Sequence, residues 1–252
     1  MKINKRNLLQ KILFNNSKES VIRQRNNPQI WDPVFFPLKK IKDSIYAIAM
    51  SSKNVSVIDI GCWDMPYRDF FLHDDNTYIG IDYYAEGEGI LPIQIEEPFV
   101  HGKHDIVICS EVLEHTFDYP QVVDNIRNNV KEDGTIFVSV PFAYEVHGWD
   151  YNDYFRFTYQ ALNKIFEKEW LIFAPSNGYL STILLKSSQL VFYTPIPYIL
   201  KAPYFIVMNC LILLIENTIS IFLKKNLPSS LLTKVWFSFP NTYYTDVQVN
   251  KK

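Results

Sequence analysis

The run Val55-Ser-Val-Ile-Asp-Ile60, short, β-branched and ended by Gly61, constrains the fold more than any other feature of the chain. A nearly unbroken apolar run of this length reads as a strand buried on both faces, and such strands belong to parallel sheets covered by helices. The pattern recurs in Tyr78–Asp82, more weakly in Ile90–Gln94, clearly in Asp105–Cys109, and again in Thr135–Val140, which Pro141 closes. Helical stretches separate the runs. One is expected from about Pro37 to Met50, one around Tyr67–Leu72, and one over residues 118–131, where Val122, Val123, Ile126 and Val130 share a face and Asp133-Gly134 is the stop. Trp170–Ala174 and Thr242–Val249 read as sixth and seventh strands. Strands alternating with helices at this spacing predict an α/β fold with a mostly parallel sheet and helices on both faces.

Right-handed crossovers gather the strand carboxyl ends on one sheet edge, where ligands bind. The chemistry is therefore sought in residues 60–67, 82–87, 94–98, 109–115 and 141–156. Gly61 opens a strand-to-helix turn, where a missing Cβ lets backbone amides approach a ligand. Asp82 follows Asp59 by 23 residues and ends the second strand, a position from which a carboxylate can accept from ribose hydroxyls. Ser110-Glu-Val-Leu-Glu-His115 is a polar cluster beyond the fourth strand.

The order of these elements resembles the class I S-adenosylmethionine (SAM)-dependent methyltransferases, within them the type-11-like group. The likeness lies in Val55–Tyr67, Tyr78–Asp82, Cys109-Ser-Glu-Val-Leu-Glu-His115, Glu132–Pro141 and His147-Gly-Trp-Asp-Tyr-Asn-Asp-Tyr-Phe-Arg-Phe-Thr158. It covers roughly residues 50–170. The resemblance implies a Rossmann-like, seven-stranded sheet whose last two strands are antiparallel neighbours. An apolar helical insertion separates those two strands. It also implies SAM as cofactor, with Asp59 and Gly61 at its methionine part, Asp82 at the ribose, Ile95 and Glu96 near the adenine, and Ser110 and Glu111 closing the pocket. His147 and His115 are the candidate catalytic groups for an oxygen acceptor, and no metal is called for. Relatives carry a second glycine where this chain has Trp63, a residue for which positive φ is costly. The indole is expected to point away from the ligand, the turn being kept open by Gly61 and Pro66.

Each residue also has a purely structural reading. Asp59 caps a turn, Glu111 and Glu114 are helix N-terminal charges, His115 is structural, and Arg156 pairs with a carboxylate inside the fold. Trp149, Tyr151, Tyr154 and Phe155 form either a lid or an apolar plug, and His101 and His104 read as a polar loop before a strand.

With 252 residues the chain divides into a helical lead-in (1–50), a SAM-binding core (51–175), an apolar insertion (176–240) and a returning strand (241–252). A net charge of −2 argues against nucleic acid as a partner. Cys62, Cys109 and Cys210 are odd in number and widely spaced, which points to a reducing, cytoplasmic compartment rather than to disulfides. The first 25 residues set Lys2, Lys5, Arg6, Lys11, Lys18, Arg23 and Arg25 against Glu19 alone, and Leu8, Leu9, Ile12 and Leu13 share a helical face. Ser181–Leu200 and Pro203–Leu223 are strongly apolar, and Lys224-Lys225 follows. Glu216 and Asn217 inside the second run speak against a simple span, as does the strand that must return to its sheet. Folding onto the domain, lying on the inner face of a membrane, and forming a homodimer all stay open. The expected acceptor is a small molecule, a glycan or a lipid-linked compound. The competing readings are a SAM- or nucleotide-binding protein without transferase activity and a membrane-associated scaffold with an inactive core. A nicotinamide oxidoreductase is disfavoured, because Gly-x-Gly-x-x-Gly is missing after the first strand.

Overall fold

The computed structural model describes residues 17–147, 152–169, 171–219 and 240–245. By internal contacts the chain forms two units, Asp43–Pro175 with Thr242–Lys252, and Met1–Lys42 with Ser176–Asn241.

The first is the sheet unit. Its strands are β1 (Ser56–Ile60), β2 (Thr77–Ile81), β3 (Ile90–Leu91), β4 (His104–Ser110), β5 (Val130–Pro141), β6 (Phe173–Pro175) and β7 (Thr242–Thr245). They lie in the order β3-β2-β1-β4-β5-β7-β6. The pairings from β3 to β5 are parallel, and β7 runs antiparallel between β5 and β6. Val57, Ile58 and Ile60 of β1 and Val107, Ile108 and Cys109 of β4 are fully buried, which is why both strands read as apolar runs. Strand order reverses between β1 and β4, so the crevice beyond their carboxyl ends is the place where such a sheet binds its ligand.

Several expected elements change length. The third strand keeps only Ile90–Leu91, since Pro92 offers no amide to a ladder. The helix expected around Tyr67–Leu72 is a single 3-10 turn, Arg68–Phe70, because the left-handed residues Trp63 and Met65 consume much of the linker. The helix expected over 118–131 ends at Asn129, and Asp133-Gly134 is no helix stop: both lie inside β5. Asp118 caps that helix, α3 below, and Val130 is already extended opposite His104. A bulge between His104 and Ile106 follows, and a Cβ at Gly134 would come within 2.6 Å of Val130 Cγ2. The sixth strand begins at Phe173, and Trp170 of the expected sixth and residues 246–249 of the expected seventh lie outside the described residues.

In chain order the helices are α1 (Lys18–Asn26), α2 (Phe35–Met50), α3 (Tyr119–Asn129), α4 (Tyr159–Ile165), α5 (Tyr179–Phe192) and α6 (Tyr198–Leu214). The basic amphipathic segment around Leu8–Leu13 lies outside the described residues.

In the second unit, Phe35, Phe36, Leu185 and Ile212 form a small apolar core. Around it polar groups are buried as well. Asp32 takes both guanidinium nitrogens of Arg23, at 2.8 and 2.5 Å, and the Gln29 amide at 2.6 Å. Asn209 of α6 donates to the carbonyls of Ile30 and Asp32 at 2.8 and 2.9 Å. Gly178, the N-cap of α5, has no side chain with which to cap it. The Glu216 carboxylate does so instead, accepting from Gly178 N at 2.9 Å and Ser181 Oγ at 2.5 Å.

Candidate active site

The turn after β1 is built on three left-handed residues, Gly61 (φ 72°), Trp63 (φ 46°) and Met65 (φ 48°). Gly61 is required here, because a Cβ would lie 2.6 Å from Val112 Cγ2 in the segment after β4. Beside Gly61, Trp63 itself takes the left-handed backbone that its bulk makes costly. A non-glycine residue held there costs roughly 1–3 kcal/mol and persists only where its surroundings hold it. Asp82 does the holding, accepting from Trp63 N at 2.9 Å through Oδ2 and from Tyr84 N and Ala85 N at 2.9 and 3.1 Å through Oδ1. Trp63 is 37% exposed.

Gly80 was missed by sequence reasoning. A Cβ there would overlap Cys62 Sγ and sit 2.9 Å from Met65 Sδ, so its absence lets the turn settle on β2. A glycine inside an apolar strand was the available signal. Asp59, buried in β1, accepts from Tyr78 Oη at 2.6 Å. Burial, then the Asp59 charge, pushes the Tyr78 hydroxyl well above its ordinary value, so it stays a protonated donor.

The register Asp59↔Ile108 brings the ends of β1 and β4 to one edge. There Ser110 Oγ bonds Ser139 Oγ at 2.9 Å, and Glu111, also left-handed (φ 56°), donates its amide to Ser139 O at 2.9 Å. Ile95 and Glu96 are tied to α3: Ile95 O accepts from Asn125 Nδ2 at 2.8 Å, and Glu96 Oε1 accepts from Asp118 N at 2.8 Å. Asn125 also serves Glu97 O and Phe99 N, so this buried amide, likewise missed, sets the course of the loop after β3. An Asn on the apolar face of the expected helix was its only trace.

The two candidate catalytic histidines, 32 positions apart, meet. The His115 and His147 rings stand edge to face with centroids 4.8 Å apart. His115 Nδ1 bonds Asn152 O at 2.6 Å, and His147 Nδ1 lies 3.1 Å from Asp153 Oδ2. Asp153 also takes Arg156 Nη1 and Nη2, at 2.5 and 2.7 Å, and His147 N at 2.9 Å. Burial alone would raise the Asp153 carboxyl, but these bonds outweigh it and hold the group at about 2. Arg156 thus pairs with a carboxylate inside the fold and braces the loop through the carbonyls of Tyr144, Glu145 and Phe155. Burial lowers the His147 pKa, with Asp153 opposing. Of the aromatic residues read as lid or plug, Tyr154 and Phe155 stack with Phe117, while Trp149 and Tyr151 lie outside the described residues, as does Asp150. His101 and His104 pair with each other at 3.3 Å, away from this cluster in the hydrogen-bond network.

The residues at this edge suit a sulfonium nucleoside. The turn after β1 has no Cβ at Gly61, a half-buried carboxylate stands beyond β2, and its Oδ2 accepts one amide where a carboxylate oxygen has two lone pairs. A family model described as a methyltransferase domain matches residues 19–171, more than half of the chain. The chain belongs to the class I SAM-dependent methyltransferases. SAM is the cofactor of that family. No curated protein matches its sequence. Among solved structures it is similar to a putative methyltransferase from Bacillus halodurans C-125, with 13% identity over 82% of this chain and 96% of that one, TM-score 0.46. It is also similar to a complex of the Haloferax volcanii Trm112 methyltransferase activator with a putative methyltransferase (16% identity, 64% of this chain and 75% of that one, TM-score 0.46). The match to a SAM-dependent methyltransferase from Clostridium acetobutylicum ATCC 824 (14% identity, TM-score 0.35) covers 43% of this methyltransferase and spans about half, 52%, of that chain.

Proposed function

We propose that this methyltransferase transfers a methyl group from SAM to a lipid-linked acceptor while seated on the inner face of a membrane. The observation that carries the reading is the extent of apolar surface that α5 and α6 expose, over a buried side that mixes polar residues with Leu185, Tyr198, Phe205 and Ile212. Ser181, Thr182, Ser188 and Gln189 of α5 are buried, as are Lys201 and Asn209 of α6, while Ile183, Leu190, Ile199, Leu200, Val207, Leu211 and Leu214 are exposed. In water the hydrophobic effect disfavours so much exposed apolar surface. The segment Tyr198–Thr218 is long and apolar enough to cross a bilayer, yet only 28% of its apolar window is buried, which separates it from an ordinary core helix. A single crossing between β6 and β7 is incompatible with their pairing in one sheet. An apolar face of this extent on a water-facing protein normally has a partner. The basic N-terminal segment and Lys224-Lys225 complement anionic headgroups.

In this reading Gly61, Asp82, Ser110 and Glu111, with Asp59, Ile95 and Glu96 behind them, hold the donor. His115 and His147 face the acceptor. SAM supplies an electrophilic methyl, which passes in line to the acceptor's lone pair as the carbon–sulfur bond breaks. The chain's part is alignment and exclusion of water.

The test is flotation with vesicles containing anionic phospholipid, followed by incubation with methyl-labelled SAM and the membrane and aqueous fractions of the host cell. The wild type is expected to float and to label organic-extractable material, and the variant Ile199→Glu/Leu200→Glu to stay in the dense fraction. Failure to float, equal flotation of the variant, or label confined to water-soluble product overturns the reading.

A further inference from the structure

Glu114, His115 and His147 each offer a ligand atom, and the three atoms lie within 4.8 Å of one another. Glu114 is fully buried, and its Oε1 stands 3.5 Å from His115 Nε2. Both rings are held from the far side by oxygen. Asn152 O, 2.6 Å from His115 Nδ1, can only accept, so that nitrogen carries the hydrogen. His147 Nδ1 lies between Glu145 O at 3.3 Å and the Asp153 carboxylate at 3.1 Å, two more acceptors, and carries its hydrogen for the same reason. In each neutral ring the lone pair is therefore on Nε2. Imidazoles held in one tautomer by a carbonyl and a carboxylate are what a metal-binding histidine pair requires.

We propose that Glu114, His115 Nε2 and His147 Nε2 form a site for a divalent transition-metal ion, with zinc, cobalt and manganese as the class the donors favour. Two imidazoles and one carboxylate are a borderline donor set. Three protein ligands leave a further position for a water or an acceptor oxygen, where the metal lowers the pKa of the bound hydroxyl. The family's route called for no metal, and the sequence could not show that His147 returns to His115. The site rests on the sheet unit alone and stands whether or not the protein binds membranes.

The test uses the full-length protein after chelator treatment, titrated calorimetrically with Zn2+ and separately with Co2+, whose visible spectrum reports its ligands. One ion per chain is expected, with a cobalt spectrum of low coordination number. His147→Asn and Glu114→Gln are expected to weaken binding by about 10- to 100-fold, and His101→Asn, in the other histidine pair, to leave it unchanged. Because Glu114 is buried and its variant can misfold, His147→Asn, on a half-exposed loop, decides the matter alone. No binding by the wild type, or affinities unchanged in His147→Asn, overturns the site, as does loss of binding in His101→Asn alone.

Discussion

Asp105 shows how a single carboxylate ties the sheet together. It accepts from Ser56 N and Ser56 Oγ, both at 2.8 Å, and from Lys131 Nζ at 2.7 Å, joining the starts of β1, β4 and β5. The Lys131 bond, then the Ser56 amide, lowers its pKa from 3.8 to about 2. A folded-state pKa below the unfolded one means stability that is fully present above about pH 4 and lost as pH falls toward 2. Asp105→Asn is expected to cost about 1 kcal/mol at pH 7. The gap between wild type and variant in urea midpoints should hold from pH 7 to 5 and narrow by pH 3. A gap of the same size at pH 3 would contradict this account. Residue-level roles were unevenly legible in the sequence. Asp82 and Gly61 stood at strand ends where their chemistry is expected. The left-handed backbone of Trp63 did not show, because it depends on an acceptor 19 residues away that propensity does not register. Asn125 was hidden for a similar reason, its partners being backbone atoms of a distant loop.

Among the elements, the strands were legible wherever both faces are buried. Val55–Ile60 and Asp105–Cys109 match β1 and β4 closely, because burial on both sides writes an unbroken apolar run. Where structure depends on partners, the pattern misled: β5 begins directly after α3 because its bulged pairing with β4 keeps Gly134 in the strand. Glu216 is the clearest element-level case. In sequence it is a charge misplaced in an apolar run, and in the fold it caps α5. A carboxylate at a helix N-terminus satisfies orphan amides and the dipole together. Glu216→Ala is expected to destabilise the helical unit by roughly 1–2 kcal/mol, seen as a lower Tm and faster amide exchange at the start of α5. An unchanged Tm and exchange pattern would contradict the capping role.

At the scale of the whole molecule, the sheet unit carries the strands of the family's fold, and the helical unit carries an exposed apolar surface. A mostly parallel sheet ending in two antiparallel neighbours was inferable from strand–helix alternation plus the family resemblance, and the reversal between β1 and β4 was not. The inward turning of polar side chains on α5 and α6 was not, since hydropathy along a chain does not say which face meets solvent. The central claim is that the edge beyond β1 and β2 binds SAM through the Asp82 carboxylate. Calorimetric titration of SAM and S-adenosylhomocysteine into the wild type and Asp82→Ala tests it most directly. The account predicts saturable one-to-one binding by the wild type, with affinity about 10- to 100-fold lower in the variant, equivalent to the loss of charged hydrogen bonds worth roughly 1.5–3 kcal/mol. A wild type that takes up neither nucleoside, or a variant that binds both equally well, would contradict it.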